Sequence, residues 1–218
     1  MKKAVVFDLD GTLLNTCPDL MVAMNQMLDK FGFPRISERE VISYIGYGAK
    51  QYVQSAIPKE HWDKTDECLE YYSKVYDESE SPLTRLYEGV DELLRKLKTA
   101  GYKLMVLSNK PQRSTDEVYK RYLSAYDFDY VYGQREGIKA KPDPEPLYVV
   151  LKDNGLNKED IIFVGDGETD IGMAKNAGAD SVGVLWGYRN KSQLQEAGGK
   201  VFASSPEELY QIIINWEK

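Results

Sequence analysis

The chain has 218 residues, and its 35 acidic side chains outnumber its 28 basic ones to give a formal net charge of −7. This acidic balance argues against nucleic-acid binding driven by charge, and no stretch approaches the roughly 18 apolar residues of a membrane span. The two cysteines lack metal-ligand spacing, so we expect free thiols and a cytoplasmic protein. Because there is a single histidine, any chemistry must depend mostly on carboxylates, lysine and hydroxyls.

The chain opens with a predicted strand and continues into a helical segment. The apolar run Ala4–Phe7 indicates a strand buried on both faces. Residues 16–80 then contain helical patterns without a convincing strand, over 19–31, 37–44 and 61–76. A helical block in this place indicates an insertion, and residues 79–82 would form the return hinge.

From residue 86 onward, helical and strand patterns alternate. Helices are expected over 86–97, 111–125, 144–151, 169–177 and 206–216, and strands over 104–107, 161–164 and 182–185. This alternation is typical of a doubly wound α/β domain. We therefore predict a Rossmann-like parallel sheet core formed by residues 1–15 and 81–218, with residues 16–80 as an inserted helical domain.

Polar residues follow three of the four predicted strands, at the sheet edge where the active sites of open α/β sheets lie. These residues are Asp8, Asp10 and Thr12 after the first strand, Ser108, Asn109 and Lys110 after the second, Asp166 and Asp170 after the third, and Lys141 from a loop. Acids, hydroxyls and lysines should therefore converge at one edge of the sheet.

Asp8 and Asp10 carry the first chemical prediction. Side chains two apart on an extended backbone point the same way, so both carboxylates should face one space. Two close carboxylates are costly unless a cation neutralises them or one of them keeps a proton. Asp8 and Asp166, together with a main-chain oxygen and water, suit Mg²⁺, which binds few protein carboxylates and keeps several waters.

Together these residues resemble the four motifs of the haloacid-dehalogenase-like superfamily of phosphohydrolases. The matching motifs are Asp8-x-Asp10-Gly11-Thr12, Ser108, Lys141 and Asp166-x-x-x-Asp170. The resemblance spans the whole chain and implies that residues 16–80 are the family's mobile cap. Within the superfamily, residues 45–49 and 108–111 are similar to the phosphoglycolate phosphatase branch.

The resemblance implies a catalytic role for several of these residues. Asp8 would be the nucleophile that forms an aspartyl-phosphate, and Asp10 would be the general acid and base. Lys141 and Ser108, with main-chain amides such as that of Asn109, would bind the phosphoryl oxygens as charge shifts during the reaction.

The resemblance also implies a metal site. Mg²⁺ would be held by the carboxylates of Asp8 and Asp166 and by the main-chain oxygen of Asp10. Asp170 would lie behind these ligands, where it would orient Lys141 or a metal-bound water.

Four further residues are candidate contacts for substrate or phosphate. Thr12 belongs to the first motif. Lys110 either binds a substrate carboxylate or phosphate or is a solvated surface lysine. Gly46 and Gly48 either bring a cap loop to the site or end the helix over 37–44.

We therefore expect a Mg²⁺-dependent phosphatase acting on a small organic phosphate monoester, 2-phosphoglycolate or something similar. The alternative is a phosphosugar mutase, which would return the phosphoryl group to its substrate. A dehalogenase would not need Asp10 and Mg²⁺, and a non-catalytic binding module should have lost a motif residue. The partner would be a small phosphorylated metabolite rather than nucleic acid or membrane, and the protein would be a monomer or homodimer.

Overall fold

In the computed structural model, which describes residues 2–216, the chain forms one strand and then leaves the sheet. The first elements are β1 (Ala4–Phe7), β2 (Leu14–Asn15), α1 (Cys17–Phe31), α2 (Glu38–Tyr44), α3 (Ala49–Ala56), a 3₁₀ segment (Lys59–Lys64), α4 (Thr65–Glu78) and β3 (Arg85–Leu86). Strand β3 pairs antiparallel with β2. The chain therefore returns beside the point from which it left.

The rest of the chain alternates between helices and strands. These elements are α5 (Val90–Thr99), β4 (Lys103–Pro111), α6 (Gln112–Val118), β5 (Tyr130–Gln134), α7 (Glu145–Asp153), β6 (Ile161–Gly165), α8 (Glu168–Ala177), β7 (Asp180–Val184), α9 (Lys191–Glu196), β8 (Phe202–Ala203) and α10 (Pro206–Ile214). No helix within residues 2–216 combines the length and the apolar character that crossing a membrane requires.

Six of the strands form one sheet in the order β5-β4-β1-β6-β7-β8. Every neighbouring pair is parallel. Strand β1 lies between β4 and β6, so the strand order reverses there and a crevice opens at the carboxyl ends of the three strands. This sheet confirms the predicted doubly wound α/β fold.

The apolar run of β1 is continuous because both faces of the sheet are covered. Val5 and Phe7 pack in one hydrophobic cluster with helices α5 and α10, whereas Ala4 and Val6 pack in a second cluster with α7 and α8. Successive side chains of a strand point to opposite faces, so an apolar residue is needed at each position.

Helices α1 to α4, which we call the helical block, have a hydrophobic core of their own. Leu20, Met24 and Met27 from α1 pack there with Val53 from α3 and Tyr72 from α4. The amphipathic pattern of α1 is explained by this packing, since its apolar side faces the other helices. Ser37 forms a capping box with Glu40 at the start of α2.

Some observed elements differ from the predicted ones. The helix expected over 86–97 begins later, at Val90, because Leu86 pairs with Leu14 between β3 and β2. Strands β5 and β8 lie at the two edges of the sheet and lack a continuous apolar run, which is why the sequence pattern missed both. Helices α3 and α9 were also not predicted; each is no longer than eight residues.

Candidate active site

The predicted polar residues meet at the carboxyl ends of β1, β4 and β6. Asp8 directly follows β1, Ser108 lies in the last part of β4, and Asp166 directly follows β6. Lys141 reaches the same place from the loop that precedes α7. All four are buried, with 8% or less of their surface exposed. The parallel order of the strands brings them together, as the sequence predicted.

Lys141 lies at the centre of the cluster. Its ammonium donates to Asp8 Oδ1 at 2.8 Å, to Asp170 Oδ1 at 2.6 Å and to the main-chain oxygen of Leu107 at 3.1 Å. Burial alone would lower the pKa of Lys141, but the carboxylates of Asp170 and Asp8 raise it above its ordinary value. The lysine is therefore held as a fixed positive charge beside Asp8.

Three carboxylates form a candidate metal site. Asp8, Asp166 and Asp170 offer oxygen atoms that all lie within 4.8 Å of one another. Burial, followed by the charges of Asp170 and Asp8, raises the pKa of Asp166 to about 8. Burial and Asp170 also raise the pKa of Asp8, against the opposing effect of Lys141. A hard divalent cation would offset this repulsion, so the donor set fits Mg²⁺.

Asp166 is held on both of its oxygens. Thr12 Oγ1 donates to Asp166 Oδ1 at 3.0 Å, and the main-chain nitrogen of Tyr188 donates to Asp166 Oδ2 at 2.7 Å. Gly11 turns beside it with a φ of 86°, where a Cβ atom would lie 2.2 Å from Asp166 Oδ2. The first motif therefore needs glycine at this position, and Thr12 contacts Asp166 rather than the cavity described below.

Asp10 is also held on both of its oxygens. Thr16 Oγ1 donates to Asp10 Oδ1 at 2.6 Å, and Lys110 Nζ lies 3.0 Å from Asp10 Oδ2. Lys110 also donates to the hydroxyl of Tyr76 at 3.2 Å, and its side chain is 4% exposed. The structure thus rules out the solvated surface lysine that the sequence left open.

Asn109 links three parts of the site. Its side-chain nitrogen donates to the main-chain oxygen of Gly46 at 2.8 Å and to that of Lys141 at 3.0 Å. Its side-chain oxygen accepts from the main-chain nitrogen of Lys141 at 2.8 Å. Asn109 therefore fixes the loop that carries Lys141 and joins it to the helical block.

A cavity lies between the sheet edge and the helical block. Its core side is lined by Asp8, Asp10, Ser108, Asn109, Lys110 and Lys141, and its other side by Gly46, Gly48, Tyr52, Tyr72 and Tyr76, among others. Gly46 and Gly48 thus belong to a loop that reaches the site. The cavity combines lysines, carboxylates and a hydroxyl on one side with aromatic rings on the other.

Residues 5–184 match the haloacid dehalogenase-like hydrolase family. The chain belongs to this family. It is 38% identical over 194 residues to a phosphoglycolate phosphatase from Mannheimia succiniciproducens, covering 85% of this chain and 87% of the relative. It is 31% identical over 218 residues to a phosphoglycolate phosphatase from Vibrio parahaemolyticus, covering 97% and 96% of the two chains.

A solved structure agrees with these relatives. A Lactobacillus delbrueckii protein, provisionally named phosphoglycolate phosphatase, superposes with a TM-score of 0.89 at 27% identity, covering 98% of this chain and 99% of that one. These similarities confirm the predicted superfamily and the resemblance to phosphoglycolate phosphatase. The chain is thus an enzyme of the haloacid dehalogenase-like hydrolase family.

Several residues of this hydrolase's site were not predicted from the sequence. The Tyr188 hydroxyl accepts from the main-chain nitrogens of Thr16 and Cys17, at 3.1 and 3.0 Å, while its main-chain nitrogen holds Asp166. Arg189 is 7% exposed and contacts both Glu168 and the helical block. Tyr188 and Arg189 lie a few positions after the last residue of β7. The rule that polar residues after a strand belong to the site, applied to the predicted strand over 182–185, could have indicated both.

Proposed function

We propose that this hydrolase is a Mg²⁺-dependent phosphatase that cleaves a small organic phosphate monoester through an aspartyl-phosphate intermediate. The observation that carries the proposal is the position of Asp8, which faces the cavity while Lys141 and two further carboxylates surround it. Curated relatives named phosphoglycolate phosphatase support 2-phosphoglycolate, or a close analogue, as the substrate.

The acidic cluster would bind the metal ion. The carboxylates of Asp8 and Asp166 and the main-chain oxygen of Asp10 would hold Mg²⁺, with Asp170 behind them. When bound, the ion supplies positive charge beside the phosphoryl oxygens and reduces their repulsion from Asp8. Asp170 would orient Lys141, and the 2.6 Å between the two groups supports this role.

Asp8 is the nucleophile in this proposal. Its carboxylate oxygen forms a bond to phosphorus as the bond from phosphorus to the ester oxygen breaks, and Asp10 donates a proton to the leaving oxygen. In the second step, water attacks the phosphorus of the aspartyl-phosphate while Asp10 accepts a proton from it. Inorganic phosphate leaves, and Asp8 regains its free carboxylate.

The phosphoryl oxygens would be bound by fixed donors. Lys141 and Ser108 line the cavity next to Asp8. Main-chain amides near Leu9 and Asn109 lie at the same two strand ends and would add further donors. Because these groups are already held by the fold, they stabilise the developing charge without reorganising.

Lys110 and the helical block would read the part of the substrate that is not phosphate. Lys110 is a buried cation on the cavity wall, so it suits a carboxylate or a second phosphate. We propose that residues 16–80 form a cap domain, and residues 1–15 and 81–218 the catalytic core. The cap would close over the substrate and exclude bulk water.

The same proposal includes the surroundings of the enzyme. Cys17 and Cys68 are free, buried thiols, which supports a reducing cytoplasm. The binding partner would be the small phosphorylated metabolite itself. Whether the protein is a monomer or a homodimer stays a prediction, which sedimentation of the purified protein would test.

The proposal is tested by phosphate release from 2-phosphoglycolate, sugar phosphates, nucleotides and pyrophosphate, each with Mg²⁺ and with a chelator. We expect turnover to need Mg²⁺ and to favour 2-phosphoglycolate, and we expect Asp8→Asn to lose about 10⁴-fold or more in kcat. Activity that survives chelation would contradict the metal site. Conversion of β-glucose 1-phosphate to the 6-phosphate would instead support the mutase.

A further inference from the structure

Arg189 connects the sheet edge to the end of helix α2. Its Nη1 donates to the main-chain oxygen of Ile42 at 2.7 Å, and its Nη2 donates to that of Ile45 at 2.7 Å. Its Nε donates to Glu168 Oε2 at 2.8 Å. One guanidinium therefore contacts two carbonyls of the helical block and one carboxylate of the core.

The charges of Arg189 and Glu168 match the helix ends that they contact, the C-terminal end of α2 and the N-terminal end of α8. The last carbonyls of a helix lack partners within the helix and carry partial negative charge, which a guanidinium can satisfy. Arg189 is 7% exposed, so its charge needs a partner, and Glu168 in the first turn of α8 provides it. Removal of either side chain would leave the other partly buried without its charged partner.

Glu168 also contacts the loop that lines the cavity. Residues 45–48, which we call the docking loop, follow α2 and include two glycines of the cavity wall. Tyr47 of this loop donates its hydroxyl to Glu168 Oε1 at 2.9 Å. The main-chain oxygen of Gly46 accepts from Asn109 and, at 3.4 Å, from Thr169 Oγ1. The docking loop is thus attached to the core through the Tyr47 side chain and the main-chain oxygen of Gly46.

The residues that hold the docking loop are adjacent to those that hold Asp166. Glu168 is two positions after Asp166 in the chain, and Arg189 directly follows Tyr188, whose main-chain nitrogen donates to Asp166. The same two short segments therefore fix the proposed metal ligand and the wall of the cavity. A shift of the docking loop would change the cavity next to the reacting groups.

We propose that Arg189 and Glu168 are positioning residues, which hold the docking loop against the sheet edge and so fix the position of the cavity wall. The pair affects substrate binding indirectly, because it holds the loop that forms one wall of the cavity. This inference rests on the proposed function, since the position of the cavity wall matters to catalysis only if the cavity holds the phosphate ester.

The test compares Arg189→Gln, Glu168→Gln and Tyr47→Phe with the control Arg95→Gln. Arg95 forms an exposed ion pair with Asp91 on α5, far from the docking loop in the chain. We expect Arg189→Gln to lower kcat/KM for 2-phosphoglycolate by about 10- to 100-fold, mainly by raising KM, because charged hydrogen bonds to the loop are lost. Glu168→Gln should do the same to a lesser degree.

Hydrogen exchange of the amides of residues 42–50 gives a second readout that does not depend on activity. It should become faster in Arg189→Gln and in Tyr47→Phe but not in Arg95→Gln. Tyr47 is 36% exposed, so its variant should fold even if the arginine variant does not. The proposal is overturned if exchange matches the control, or if the melting temperature falls while kcat and KM stay unchanged. A wild-type protein without phosphatase activity would instead refute the proposed function and leave the exchange result interpretable.

Discussion

The ammonium of Lys141 lies 2.6 Å from Asp170 Oδ1, and both side chains are 1% exposed. The other oxygen of Asp170 accepts from the main-chain nitrogen of Gly167 at 2.9 Å, at the start of α8. Asp170 is thereby fixed by its own helix, and it fixes Lys141 in turn. Since Lys141 also contacts Asp8, the position of the proposed nucleophile depends on a residue that need not touch the substrate.

This relationship predicts the effect of Asp170→Asn. Removing one carboxylate of a buried ion pair is destabilising by about 3 kcal/mol, at the low end of the usual range because Asp8 still pairs with Lys141. We also expect kcat to fall about 10- to 100-fold, as for other groups that orient a ligand or catalytic residue. Urea unfolding and phosphate release measure the two effects. Asp91→Asn, at an exposed ion pair, is the control, and a wild-type kcat in Asp170→Asn would contradict the assigned role.

The raised pKa values of Asp8 and Asp166 predict how stability depends on pH in metal-free protein. Between the ordinary carboxyl value of 3.8 and the value of about 8 for Asp166, the native state holds protons that the unfolded state has released. The free energy of unfolding should therefore receive a contribution that is full at low pH and is lost as the pH rises toward 8.

Mg²⁺ should reverse this trend, because the ion binds the ionised carboxylates and competes with protons. We expect added Mg²⁺ to raise the melting temperature by several degrees more at pH 8 than at pH 6. Thermal unfolding with Mg²⁺ and with a chelator gives the comparison, and Asp166→Asn is the control that should lose most of the difference. An equal effect of Mg²⁺ at both pH values would argue against these carboxylates as the metal ligands.

The position of Lys110 on the cavity wall predicts that the enzyme prefers substrates whose leaving group is an anion. Lys110→Gln should lower kcat/KM for 2-phosphoglycolate about 10- to 100-fold more than it lowers kcat/KM for ethyl phosphate, whose leaving group is uncharged. The ratio of the two values is the readout, since loss of the contact with Asp10 affects both substrates. Lys96→Gln removes an ion-paired lysine of α5 and should leave the ratio unchanged. An unchanged ratio in Lys110→Gln would remove Lys110 from substrate recognition.

The sheet and its polar edge were predictable because each depends on local patterns. The apolar runs of β1 and β6 could be read directly, and the polar residues after them met at one edge because the strands are parallel. The capping box that Ser37 forms with Glu40 and the N-cap that Ser205 provides for α10 likewise depend on residues close together in sequence. Such features can be predicted without knowing which distant segments of the chain come together.

The contacts that sequence patterns did not predict join distant parts of the chain. Arg189 contacts Ile42 and Ile45, which precede it by more than 140 residues. The burial of Lys110 depends on Asp10 and on Tyr76 from α4. No spacing rule distinguishes a lysine that meets such partners from one that faces solvent, since either would follow the predicted strand over 104–107. The prediction of these residues requires the packing of the helical block on the core.

The contacts of Asp19 predict that this residue stabilises the connection between the helical block and the core. This residue of α1 is 4% exposed, and its Oδ2 accepts from the main-chain nitrogen of Thr84 at 2.6 Å, from the Thr84 hydroxyl at 2.6 Å and from the main-chain nitrogen of Leu83 at 3.1 Å. Asp19→Ala would leave these donors without their acceptor, which should lower the free energy of unfolding by about 3 kcal/mol. Asp29 lies on the same helix and forms an exposed ion pair with Arg35. Asp29→Ala should therefore change the free energy of unfolding little. Urea unfolding of both variants decides the matter: equal losses would mean that Asp19 contributes through the helix and not through its contacts with the segment that returns to the sheet.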